Sequence, residues 1–269
     1  MAQEARTGAR LPAWILVPAG LGLALLVIPL LAMLPRVDWA RLPATITSPA
    51  ALDALWLSVR TATLAVLLCL LLGVPLALAM ARARPRAAAI LRALVTLPLV
   101  LPPLVGGVAL LAVVGRTGVL GRWLEATGVS IAFTPWAVVL AQTFVSLPFL
   151  VITVEGSLRT VGDRYQVVAA TLGARPATVL RRVSLPLIAP SLLAGTVLAF
   201  TRALGEFGAT ALVAGNRPGV TQTVPMAIYT AFNGAGVTRD VALVLSVLLV
   251  ATALAILVLV PAVRRREAW

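Results

Sequence analysis

Residues 164–190 read RYQVVAATLGARPATVLRRVSLPLIAP, a basic, proline-punctuated stretch set between long apolar runs. Tyr165, Val168, Ala169 and Leu172 fall at i, i+3, i+4 and i+7, one apolar face of a two-turn helix. Asp163 is placed to cap its start and Gly173 to stop it. Pro176 opens a second helical pattern, with Val179, Leu180 and Val183 on one face, and Pro186 and Pro190 mark the return into the apolar run. A helix this short is marginal alone in water, so its apolar face needs cover. Periodicity leaves three covers open: the chain's own bundle, lipid headgroups, or the groove of a partner protein.

Outward from that stretch the chain is written for lipid. Of its 269 residues 61% are hydrophobic and only 12% charged, with a mean hydropathy of +1.04, where soluble domains hold about 45–50% apolar residues. Six apolar runs, near 12–34, 54–81, 90–114, 135–157, 188–213 and 240–262, are long enough to cross a bilayer as helices. The first follows Arg6 and Arg10 but is too long for a signal sequence and lacks a small-residue cleavage site, so it reads as a retained span. Residues 1–11, the loop 158–187 and the tail 263–269 then fall on one side. Fourteen arginines flank the spans on that side and six on the other, which puts both termini in the cytoplasm. The net charge of +13 is thereby an orientation signal rather than a nucleic-acid footprint.

Several chemistries are disfavoured. There is no His, and the one Cys, Cys69, lies in an apolar run where it reads as packing. Asp53, Glu155 and Glu206 lie in or beside spans, too few for a proton relay and not gathered into a catalytic cluster. No G-x-x-x-x-G-K-[ST] loop is present, and the chain has no Lys to complete one.

The spans carry breaks. The third contains Pro98, Pro102, Pro103, Gly106 and Gly107, a pattern expected of a kinked helix that lines a pathway. The second carries Gly73 and Pro75. The fifth carries Gly195, Gly205 and Gly208, which permit close helix approach. Arg202 and Glu206 stand at i, i+4 and can neutralise each other. Two readings of that pair stay open: a gate on a path for a dianion, or a buried pair that fixes helix register. Glu206 alone would repel a dianion. Thr201 and Thr210 bring hydroxyls to the same helix, where bonding back to their own helix is the common role. Arg60 near the end of the second span is placed to snorkel. The polar GNRPGVTQT turn, Gly215 to Thr223, is either a plain solvated loop or a surface for a partner.

The stretch AATLGARPATVLRRVSLP resembles the cytoplasmic EAA loop of ATP-binding-cassette importer permeases, whose pattern is Glu-Ala-Ala, three residues, Gly, nine residues, a branched apolar residue, one residue, Leu-Pro. Ala169, Gly173, Val183, Leu185 and Pro186 match, while Val167 and Val168 stand where the family has Glu and Ala. LPLVLPPLVGGVALL (Leu97 to Leu111) and RALGEFGATALVAGNRPGVTQTVPMAIYTA (Arg202 to Ala231) resemble the molybdate/tungstate/sulfate group of these permeases, nearest the molybdate type.

That resemblance implies an all-α integral membrane protein with the six-helix, type I importer (MetI-like) permease fold, in the plasma membrane of a bacterium or archaeon. It implies a second copy of the chain, two ATP-binding subunits below that carry the ATP and Mg, an extracytoplasmic oxyanion-binding protein above, and molybdate as cargo. Tyr165, Val168, Ala169, Leu172, Gly173, Arg175, Val183, Leu185 and Pro186 would couple to the ATPase. Arg202, Gly205, Glu206, Gly208, Thr210, Pro102, Pro103 and Gly106 are the pathway or gate candidates. The rivals are a sulfate or tungstate permease of the same build, a proton- or sodium-coupled carrier, and a membrane enzyme.

Overall fold

A computed structural model of the chain describes residues 12–40, 42–162, 164–234 and 238–266. The N-terminal segment 1–11, Asp163 with its expected cap, and the last tail residues 267–269 lie outside the described residues, as do the side chains of 256–266. The regular structure of the described residues is all helical, without a strand. In chain order the helices are α1 (Ala13–Leu31), a 3₁₀ turn (Leu34–Arg36), α2 (Leu42–Ile46), α3 (Pro49–Arg82), α4 (Pro85–Val100), α5 (Pro103–Val114), α6 (Gly121–Ala126) and α7 (Pro135–Val161). There follow α8 (Arg164–Thr171), α9 (Pro176–Val179), a π turn (Leu180–Ser184), α10 (Leu185–Leu204), α11 (Gly208–Val213), α12 (Val224–Phe232) and α13 (Arg239–Arg266).

Four stretches are long and apolar enough to cross a membrane: Trp14–Arg36, Pro49–Arg82, Pro135–Val161 and Pro176–Leu204. The pair α4–α5 makes a fifth if its two halves are one span. The expected sixth run falls in α13, apolar over Asp240–Ala255. In α7, 67% of the most apolar window is buried inside the protein, against 0% in α1. So α7 is the core of the bundle, and α1 turns Trp14, Leu21 and Leu25 outward toward lipid.

Small residues let α3 and α10 close on α7 from two sides. A Cβ on Gly73 would lie 3.0–3.2 Å from Leu147, Leu150 and Val151, and one on Gly195 would lie 3.1 Å from Leu150. Around that contact Cys69, Met80, Leu150, Val154, Ile188 and Ala199 form the main apolar cluster. Cys69 is fully buried, its thiol 3.8 Å from the Thr143 carbonyl, which agrees with the packing role.

The third expected run, 90–114, is not a straight span. Its halves α4 and α5 meet at 112°. Pro102 and Pro103 have no N–H to give to the carbonyls of Pro98 and Leu99, and Leu101 and Pro102 take extended conformations with ψ of 135°. Two missing donors in succession turn a kink into a corner.

The fifth expected run, 188–213, is displaced at both ends. Its helix starts at Pro176 and passes through Pro186 and Pro190 without a return turn, as one stretch of 29 residues to Leu204. In a regular helix the Pro186 ring would strike the carbonyl four residues back. The π turn removes that conflict, with the Leu185 N–H donating to the Leu180 oxygen five residues earlier. At the other end Gly205, Glu206 and Phe207 leave the helix, and α11 starts afresh at Gly208. Thr201 and Thr210 therefore lie on different helices.

Candidate translocation site and coupling surface

The two breaks meet. A Cβ on Gly208 would lie 2.5 Å from Pro103 Cβ, and one on Gly107 would lie 2.9 Å from the Ala209 oxygen, so the first turns of α5 and α11 touch backbone to backbone. Gly205, grouped with these by sequence, has only the Thr201 oxygen near, at 3.6 Å, so its part is in the break rather than in close packing. Beside the α4–α5 corner lies a cavity of ≈ 270 Å³. Pro98, Pro102, Pro103 and Gly106 line it from the corner, Phe144 and Phe149 from α7, and Arg202 from α10. Of the eight pathway candidates, Pro102, Pro103, Gly106 and Arg202 share that wall, while Gly205, Glu206, Gly208 and Thr210 lie at the α10–α11 break.

Glu206 is 1% exposed, and each of its oxygens has a partner. Its Oε2 takes a hydrogen bond from Arg202 Nη2 at 2.7 Å, and its Oε1 accepts the Ala209 N–H at 2.8 Å. The carboxylate thus neutralises Arg202 and satisfies an otherwise orphaned donor in the first turn of α11. Geometry supports the register-fixing reading of the pair, and Arg202 in addition presents its half-buried side chain to the cavity. Thr201 bonds back to the carbonyls of Val197 and Leu198, as expected of a helical Thr. Thr210 does not: its hydroxyl is buried without a partner among the described residues.

A second charged cluster was only half visible in the sequence. Glu155, 4% exposed on α7, accepts from Arg92 Nη2 of α4 at 2.6 Å and from Arg159 Nε one turn along its own helix. Glu155 stands out as an acid in a span, but nothing local points across 63 residues to Arg92. The neighbouring Arg82 at the end of α3 donates to Gln166 Oε1 of α8 at 3.2 Å, which ties the loop helix to the bundle.

The coupling candidates separate into two sets. On α8 and the turn that ends it the apolar face is bare: Tyr165 is 52% exposed, Val168 54% and Leu172 83%, with Ala169 half-buried. The bundle does not cover this face. Gly173 ends α8 at φ 80°, a left-handed conformation that favours glycine, and the Ala174 N–H closes onto the Ala169 oxygen. Arg175 and Pro186 are also exposed, whereas Val183 and Leu185 are half-buried and Val179 is buried, so the second apolar face packs on its own protein.

On the opposite side of the chain's spans, the GNRPGVTQT turn is not a plain solvated loop. Its tip, Asn216 to Gly219, is exposed, but Thr221, Gln222 and Thr223 are buried. Asn216 bonds to Thr230 and Gln222, the Arg217 N–H donates to Thr221, and the Val224 N–H donates to Ser58 of α3 at 2.8 Å. Arg60 lines a neighbouring groove with Asp53, Trp56, Trp136 and Gly219.

The chain is similar to several known proteins. Over 219 residues the chain is 57% identical to the molybdenum transport system permease protein ModB of Mycobacterium tuberculosis, covering 81% of this chain and 83% of that one. It is 32% identical over 218 residues to the sulfate transport system permease protein CysT of Escherichia coli, covering 78% and 79%. A chain in the crystal structure of a bacterial alginate ABC transporter, in complex with alginate pentasaccharide-bound periplasmic protein, superposes with a TM-score of 0.72. It shares 16% identity over 94% of this chain and 93% of that one, so the fold is shared. The family of binding-protein-dependent transport system inner membrane components matches residues 73–266, nearly three quarters of the sequence. The chain belongs to that family.

Proposed function

We propose that this chain is the membrane-spanning permease subunit of an ATP-driven molybdate importer. The observation that carries the reading is the bare apolar face of α8, a short helix ended by Gly173 that leaves Tyr165, Val168 and Leu172 open to an outside partner. Such a helix has a use in a chain whose relatives carry molybdenum and sulfate and which has no phosphate-binding loop of its own. Two ATPase subunits, with ATP and Mg, would grip one α8 each from the cytoplasm, and two copies of the permease would enclose the path. All six apolar runs then cross the membrane, with both termini inside. An extracytoplasmic binding protein would deliver the anion near the Asn216–Gly219 tip.

ATP-driven closure of the ATPases would move α8. Arg82–Gln166 passes that motion to α3, and Arg92–Glu155–Arg159 holds α4 to α7, so the α4–α5 corner moves with the bundle. The cavity at that corner opens to alternate sides. Molybdate is favoured over sulfate by the greater likeness to the molybdenum permease. The test is uptake of labelled molybdate by vesicles that hold the chain with its cognate ATPase and binding protein, with sulfate or tungstate as competitor. Uptake blocked by unlabelled molybdate and indifferent to a hundredfold excess of sulfate is expected; preference for sulfate would reassign the cargo.

A further inference from the structure

Gln142 and Ser146 stand at i, i+4 on α7, and both are 0% exposed. Neither the amide nitrogen nor the amide oxygen of Gln142 has a partner among the described residues, nor does the Ser146 hydroxyl. The contrast on the same helix is plain: Thr143 and Thr153 each give their hydroxyls to the carbonyl one turn back, at 2.7 Å. Thr210, in the first turn of α11, is also fully buried and unpartnered. Ser184 and Thr223 share that condition but belong to the π turn and to the start of α12.

Packing sets α11 against α7. Ala209 and Val213 of α11 sit in one cluster with Val138 and Ala141 of α7, so the residues beside Gln142 in sequence meet the residues beside Thr210. Along α7, Val145 and Phe149 line the Arg202 cavity, and Gln142 lies on their face one turn nearer the start of the helix. Glu206 does not serve these groups: among the described residues its partners are Arg202 and the Ala209 N–H.

Buried polar groups without partners are unfavourable, and native proteins keep few of them. An amide and two hydroxyls next to an anion path have chemistry to offer. They donate hydrogen bonds without fixed charge, which suits an ion that must bind and then leave. We propose that Gln142, Ser146 and Thr210 line an occluded stretch of the path beyond the Arg202 cavity, and hydrogen-bond a tetrahedral divalent oxyanion when α7 and α11 part. The proposal rests on the import reading.

The test uses the reconstituted complex with Gln142→Leu and Thr210→Val, set beside Gln142→Asn and Thr210→Ser. Three readouts are taken: molybdate uptake, ATPase association and thermal stability. Leu and Val variants are expected to assemble normally and melt no lower than wild type, yet to lose about tenfold or more in uptake, the scale of one hydrogen bond to a charged group. Asn and Ser variants should recover part of the loss. Uptake within twofold of wild type in the Leu and Val variants would overturn the proposal, as would a loss of assembly and stability that accounts for the deficit. An inactive wild type would overturn import itself, whereas an active wild type with equally active variants overturns only this proposal.

Discussion

Replacing Leu172 with Ala should weaken docking of the ATPase and leave the permease itself intact. Leu172 is 83% exposed in the free chain, so little of its side chain contributes to the permease's own stability. The substitution removes three carbons, each worth about 0.8 kcal/mol when moved from water into an apolar groove. With most of that surface still open to a partner, the loss is about 2 kcal/mol per docked helix, or roughly 30-fold in dissociation constant. The assay is binding of purified ATPase to detergent-solubilised permease, with a thermal melt of the permease in parallel. An affinity unchanged within threefold would refute the docking argument. So would a fall in permease stability as large as the fall in affinity, because Leu172 would then be covered by its own bundle.

Other expectations follow from the same geometry. Gly173→Val should weaken docking about tenfold, since a β-branched residue at φ 80° costs about 1–2 kcal/mol although no atom crowds its Cβ; Gly173→Asn should lie nearer wild type in the same binding assay. Removing both Arg92 and Arg159 should lower the melting temperature more than Glu155→Gln, because the first strands a buried carboxylate and the second neutralises it; the reverse order in thermal melts would contradict the triad's role. Gly208→Ala should destabilise by about 1–3 kcal/mol through collision with Pro103, whereas Gly205→Ala should be nearly neutral, a contrast that paired melts would show.

The sequence made some of this legible and hid the rest for physical reasons. The α8 helix and its stop at Gly173 follow from a 3.6-residue period and a local backbone rule, so they were readable without tertiary knowledge. That the face stays bare was not readable, because periodicity reports that a face is apolar and not what covers it. Prolines 98, 102 and 103 announced a break in the third run, but its 112° angle depends on where α5 packs against α11. The continuous helix through Pro186 was missed because the π turn that admits proline has no sequence signature of its own. Arg202 and Glu206 pair within one segment and could be matched by spacing; Glu155 pairs with Arg92 across 63 residues and could not. Gln142 carries no signal in the sequence, since a neutral amide in a span is unremarkable until its neighbours are known to leave it without a partner.

In the proposed function, transport through this chain is driven by ATP on a docked partner rather than by an ion gradient. Vesicles containing the permease, its ATPase and loaded binding protein should therefore accumulate labelled molybdate only when ATP is supplied on the ATPase side. Accumulation driven by a proton or sodium gradient without ATP, or by the permease without the ATPase, would contradict the account.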